Sequence, residues 1–271
     1  MAWHEHESLS WTLLALSLIA AVLVHAGANV LNDYFDFRSG ADNLNPHPLT
    51  PFAGGSRMIQ RGLLTARETL CYGALLLTSG VVLGLLLVAM TGPMLLAIGL
   101  IGVCSAVSYS CPPLALNYRG FGELLIGLNF GVLPVLGSYY VQTQSLSSGA
   151  VVASLPLAFL VAAILYINQF PDYEFDLEAG KKTAVVLLGP QRAASAYVVL
   201  PLTAFVTIIL GVVASWMPAT SLMTLLVLPL ALFAAQKPRV VYEDADAMRV
   251  PIKSTIALHT LTSALLVLAY L

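Results

Sequence analysis

Runs of about 20 apolar residues recur from one end of this 271-residue chain to the other, and each is long enough to cross a bilayer's hydrocarbon core as a helix. Nothing else in the sequence restricts the fold as strongly. A soluble domain needs a polar skin, and this chain has none to offer. It is 58% hydrophobic and 10% charged, against about 25% charged in an average soluble domain. The short alternating segments of a membrane β-barrel are missing as well. The pattern predicts an all-α, polytopic transmembrane bundle forming a single membrane-embedded domain. Its eight spans fall at approximately 10–32, 66–90, 93–109, 121–142, 149–170, 190–215, 217–236 and 253–271. No basic patch interleaved with aromatics points to nucleic acid. Cys71, Cys104 and Cys111 lack metal-ligand spacing and read as small residues buried among helices.

Charge placement orients the bundle. All 12 Lys and Arg residues lie in or beside the connections after spans one, three, five and seven, and of the 14 Asp and Glu only Glu5 and Glu7 lie on the other side. With eight spans those four connections share one face, which the positive-inside rule makes cytoplasmic, with both termini outside. The mid-span segments carry no Asp, Glu, Lys or Arg. A transporter of phosphate-containing lipid or of a divalent cation, the rival reading from another class, would need a polar route through the spans.

Two acidic segments stand out on that face. Span one ends with Asn29, Asn32, Asp33 and Asp36, at i, i+3, i+4 and i+7, which share one helical face. Span five ends with Asn168, Asp172 and Asp176 at i, i+4 and i+8, with Pro171 expected to kink or end the helix. The segments lie four spans apart, so the chain divides into two parallel four-helix halves, at about 1–145 and 146–271, each with one acidic cluster. Carboxylates crowded at a helix C-terminus repel one another and the helix dipole, and call for a positive partner. An all-oxygen donor set suits Mg²⁺, the usual bridge between one or two carboxylates and a substrate's phosphates. Two such clusters can hold a diphosphate between them, with Arg57, Arg61, Lys181 and Lys182 near enough in sequence to take its remaining oxygens. Glu68, Glu174, Glu178, Glu243, Asp244 and Asp246 show no such pattern and read as solvated charge. Gly131, Pro134 and Gly137, inside a span, read as sites of close helix packing.

At these residues the sequence resembles the UbiA superfamily of intramembrane prenyltransferases. The likeness rests on NDYFDFRSGAD (32–42), on the loop from Gly54 to Gly62, on YSCPPLALNYRGFGELLIGLNFG (109–131) and on NQFPDYEFDLEAGKKTAVVLLG (168–189). The last Asp of the first motif comes ten residues after Asn32, which is similar to the branch that prenylates 1,4-dihydroxy-2-naphthoate in menaquinone synthesis. The resemblance implies a Mg²⁺-dependent transferase that takes a prenyl diphosphate and an aromatic acceptor from the membrane and its cytoplasmic face. Metal-binding roles would fall on Asn32, Asp36, Asp42, Asn168, Asp172 and Asp176, with Asp36, Asp172 and Asp176 central to catalysis. Asp33 and Asn29 are further candidates, and Arg57, Arg119 and Lys181 are candidate diphosphate contacts. Tyr109 and Tyr118 are candidates to pack against a prenyl cation, and an interfacial anchoring role fits them equally. Family members have nine spans, and only 28 residues precede Asn29, so the family's first helix is expected to lack a counterpart here. A family member acting on a different acceptor is the nearest alternative.

Overall fold

The computed structural model describes residues 1–40, 49, 52 and 55–271. Among them there is no strand. A short α1 (Ala2–His6) leads into α2 (Trp11–Ser39), α3 (Ala66–Thr91), α4 (Met94–Ser110), α5 (Gly122–Thr143) and α6 (Ser148–Asn168). The short α7 (Tyr173–Glu178) and α8 (Ala184–Leu188) follow, then α9 (Pro190–Val213), α10 (Ala219–Val241) and α11 (Arg249–Ala269). Seven of these helices are long and apolar enough to cross a membrane, and α4 is apolar and slightly shorter, so the eight expected spans are all present as helices.

Local chemistry sets the helix ends. The Ser10 hydroxyl accepts from the Leu13 amide at 3.3 Å to start α2, and Gly40, at φ +79°, ends it. The helix thus continues about two turns past the expected boundary, carrying the first acidic motif on unbroken backbone. Thr65 and Glu68 form a reciprocal capping box at the start of α3, which gives Glu68 a structural job beyond solvated charge. The second motif is different. Helix α6 stops at Asn168, and beyond Pro171 the chain re-forms as α7, with Asp172 at its N-cap position and Asp176 in its first turn. The expected continuous stripe from Asn168 to Asp176 is therefore broken. Asp172 and Asp176 sit at the start of a new helix, where the dipole favours carboxylates.

Helix α6 is the axis of the bundle. More than half of its apolar window, 56%, is buried inside the protein, against 11% for α2 at the periphery. It packs on α5, α9 and α11. Two large clusters of buried side chains lie around it. One contains Ile167, Phe170, Tyr197, Met248 and Ile252, the other Leu160, Phe205, Ile208 and Leu258. The first half has a thinner cluster of Ala20, Leu87 and Val141.

Helices bury little water-exposed surface against each other in lipid, so close backbone approach must hold them together. At Gly131 a β-carbon would stand 2.3 Å from the Ala158 Cα, and at Gly27 one would stand 2.6 Å from the Leu77 backbone nitrogen. The first contact seats α5 on α6, as expected of Gly131, and the second locks α2 to α3. Cys71 and Cys104 are exposed and Cys111 is half-buried, contrary to expectation. A membrane bundle turns apolar side chains outward as readily as inward, as Leu75 at 63% exposure shows, so an apolar neighbourhood in sequence does not imply burial in protein.

Candidate active site

The C-terminal ends of α2, α4 and α6 and the N-terminal end of α5 meet at the same end of the bundle. They enclose a cavity of about 280 Å³. Asn32 and Asp36 face it from α2, Tyr109 from α4, Gly122 and Glu123 from α5, and Leu165 and Asn168 from α6. The remaining wall comes from connecting segments: Phe52, Gly55, Asn117, Gln169, Asp172, Asp176, Lys181 and Thr183.

Lys181 ties the two acidic motifs together. Its ammonium lies 3.9 Å from Asp36 Oδ1 and 3.7 Å from Asp176 Oδ1, and all three side chains are largely buried. The end of α7 places it there. Gly180, at φ +71°, turns the chain so that the Lys181 amide bonds back to the Asp176 carbonyl at 2.8 Å. Asp36 is held from two further directions. Asn32 Nδ2 donates to its Oδ2 at 3.2 Å and also to Ser110 Oγ at 2.7 Å, and the Tyr118 hydroxyl donates to its Oδ1 at 3.0 Å. The Tyr118 ring sits 4.8 Å from the Lys181 ammonium, and its carbonyl accepts from the Lys182 amide at 3.0 Å.

Electrostatics follow from this crowding. Burial pushes the Asp176 carboxyl up to about 7; Lys181 opposes the shift, while the charges of Asp172 and Asp36 add to it. Burial, then the Asp36 charge, pushes the Tyr118 phenol up to about 12, so it remains a proton donor to that carboxylate. Two amide oxygens in the cavity wall, Asn168 Oδ1 and Asn117 Oδ1, are buried with no hydrogen-bond partner.

Asn32, Asp36, Asn168, Asp172, Asp176, Lys181 and Tyr109 thus converge on one cavity. The other described candidates do not line it, although Tyr118 reaches it through Asp36. Asp33 accepts from the Ser56 amide at 3.4 Å and from its hydroxyl, pinning the following loop. Asn29 bonds the His25 ring at 3.1 Å. Arg119 donates to the Pro113 carbonyl at 2.8 Å, and neither Arg57 nor Tyr118 lines the cavity. Asp42 falls outside the described residues. Sequence reasoning passed over Asn117, Glu123 and Gln169. The signal available for the first two was their place in or just after the polar connection between spans three and four, beside the candidates Tyr118 and Arg119.

The donor set fits a hard cation. Among the described residues no three His, Cys, Asp or Glu side chains converge as a self-sufficient chelate. What the cavity offers is dispersed carboxylates and an orphaned amide oxygen, which suits Mg²⁺ that keeps water and completes its shell with substrate phosphate.

Fold and cavity together define an integral membrane protein with a polar chamber at one end of its helical bundle. A model of the UbiA prenyltransferase family matches residues 1–262. A Mycobacterium leprae protein named 1,4-dihydroxy-2-naphthoate octaprenyltransferase is 30% identical over 239 residues, spanning 88% of this chain and 77% of its own. Among solved structures, the apo form of a UbiA homologue from Aeropyrum pernix K1 shares the fold with a TM-score of 0.70 at 18% identity, covering 100% of this chain and 94% of that one. A UbiA homologue from Archaeoglobus fulgidus, solved bound to DMAPP and Mg²⁺, gives 0.66 at 17% identity over 93% and 88% of the two chains. The chain belongs to the UbiA prenyltransferase family, and it is a prenyltransferase.

Proposed function

We propose that this enzyme transfers a polyprenyl group from a prenyl diphosphate to 1,4-dihydroxy-2-naphthoate, with Mg²⁺, at the cytoplasmic end of the bundle. The observation that carries the reading is the meeting of the two acidic motifs on Lys181 over one cavity. The naphthoate prenyltransferase name of the Mycobacterium leprae relative supports the acceptor, and the DMAPP and Mg²⁺ of the Archaeoglobus fulgidus structure support the donor and the ion.

Asn32, Asp36, Asn168, Asp172 and Asp176 would hold Mg²⁺, which when bound supplies charge neutralisation for a departing diphosphate. Lys181 stands between Asp36 and Asp176 with its ammonium facing the cavity, where it can bond a phosphate oxygen as charge builds on the leaving group. Asn32, Ser110 and Tyr118 hold Asp36 in one orientation, which limits the reorganisation needed at the moment of bond breaking. Leu165, Tyr109 and the apolar spans beyond them exclude the water that would quench an allylic cation. The tail of the donor would stay among apolar side chains of the spans throughout.

Prenyl transfer by the purified protein in lipid is the test, with polyprenyl diphosphate, Mg²⁺ and a panel of acceptors that includes 1,4-dihydroxy-2-naphthoate. Asp36→Ala and Asp172→Ala are each expected to lower the rate by about 10²-fold or more, as loss of a charge-stabilising group does. Transfer at full rate without Mg²⁺ or in either variant would sink the reading of the site, and a preference for another ring would move the acceptor. The cytoplasmic assignment predicts that a cysteine placed at Glu178 reacts with an impermeant thiol reagent in inverted vesicles and not in intact cells, with the naturally exposed Cys71 and Cys104 replaced.

A further inference from the structure

We propose that Glu123 and Asn117 form the acceptor end of the cavity, and that Glu123 is the base that takes the proton of the acceptor's ring hydroxyl; this rests on the reading of the chain as an aromatic prenyltransferase. With Asp36, Asp172, Asp176, Asn168 and Lys181 assigned to the diphosphate, Glu123 and Asn117 are a carboxylate and an amide in the wall that the diphosphate does not use.

Chemistry narrows what they can meet. Among the described residues Glu123 makes no ion pair. Its Oε1 accepts from Gln169 Nε2 at 2.6 Å, and Gln169 Oε1 in turn accepts from the Val185 amide at 3.3 Å. That second bond fixes which way the Gln169 amide faces, so Gln169 is a positioning residue that aims the carboxylate. Asn117 Oδ1 is buried and lacks a donor. A carboxylate and an orphaned carbonyl oxygen repel a diphosphate, which itself only accepts, and they have nothing to offer a hydrocarbon tail. A hydroxylated aromatic ring can supply an O–H donor to the orphaned Asn117 oxygen and to the Glu123 carboxylate.

The step balances. As the ring attacks, the hydroxyl O–H bond breaks, its proton passes to Glu123 and its electron pair forms a C=O bond. The displaced ring pair forms the C–C bond to the allylic carbon, whose C–O bond has broken with its pair retained by diphosphate. The substituted ring carbon then loses a proton to the released diphosphate, or carbon dioxide where it carries a carboxylate. That pair restores the aromatic ring, and the carbonyl oxygen regains a proton from Glu123.

Glu123→Gln and Glu123→Asp are compared with the parent chain in lipid for transfer, for melting temperature and for affinity toward a non-reactive prenyl diphosphate analogue with Mg²⁺. Glu123→Gln is expected to lower kcat by about 10²-fold with analogue affinity and melting temperature unchanged, and Glu123→Asp to recover part of the loss. Across acceptors of rising hydroxyl acidity the deficit should shrink, a trend that a purely structural role would not produce. Asn117→Ala is expected to raise the acceptor's KM with less effect on kcat. A Glu123→Gln rate within threefold of the parent, or a deficit unchanged along the acidity series, overturns the proposal. Loss of analogue affinity in parallel with rate also overturns it, by assigning Glu123 to the diphosphate. A parent chain that binds the analogue yet prenylates no aromatic ring overturns the underlying function as well.

Discussion

Asn32 and Asp36 show what one helical turn can encode. Four residues apart, they face the same cavity and bond each other at 3.2 Å, so their partnership is written in the sequence. Asp33 shares that polar stretch yet turns to Ser56, because one step along a helix rotates a side chain by about 100°. The nearest sequence neighbour of a site residue is thus a poor guide to site membership. Asp176 carries the sharpest consequence at this scale. Its carboxyl, pushed up to about 7 by burial, is neutral below that pH and charged above it. A cation competes with the proton for that oxygen, so Mg²⁺ affinity should fall by about tenfold for each pH unit below 7 and level off above it. Mg²⁺ titrations of the protein between pH 5.5 and 8.5 check this, and an affinity flat across the range would mean that Asp176 does not take part. Glu123, Asn117 and Gln169 were illegible for another reason. They come from separate stretches of the chain, and only tertiary placement brings the three to one chamber.

Helices were the most legible level. The apolar runs marked all eight long apolar helices, seven of them long enough to cross a membrane, because length and hydropathy decide what a bilayer accepts. The ends were less so. Helix α2 continues to Ser39 since nothing before Gly40 stops it, whereas α6 halts at Asn168 close to Pro171, a breaker visible in advance. Proline announced the break, but the new helix α7 and the return of Lys181 onto Asp176 depend on Gly180, whose left-handed backbone no periodicity reveals. Close packing between elements is equally specific. Gly131→Leu would drive a side chain into the Ala158 backbone, at a cost of about 1–3 kcal/mol for an overpacked contact. Thermal unfolding in detergent should show a clear drop for Gly131→Leu and little change for Gly84→Leu, where a β-carbon meets open space.

At the scale of the molecule, the two halves are unequally built. The large buried clusters surround α6 in the second half, and the thin cluster of Ala20, Leu87 and Val141 joins α2 and α3 to α5 in the first. Local stability follows buried contact, so the α2–α3 pair should part from the rest before α6 and its neighbours unfold. The proposed active site lies across that seam, with Asp36 on one side and Asp176 and Lys181 on the other. Heating should therefore abolish activity at a lower temperature than it abolishes helicity, and parallel activity and circular-dichroism melts would show the gap, with coincident curves counting against the idea. The same seam gives a bound diphosphate a second effect. Gripped from both halves, as proposed, it would act as a removable staple, and saturating donor analogue with Mg²⁺ would narrow the gap by mass action. The enzyme is then at its sturdiest while loaded, and each product release reopens its weakest joint.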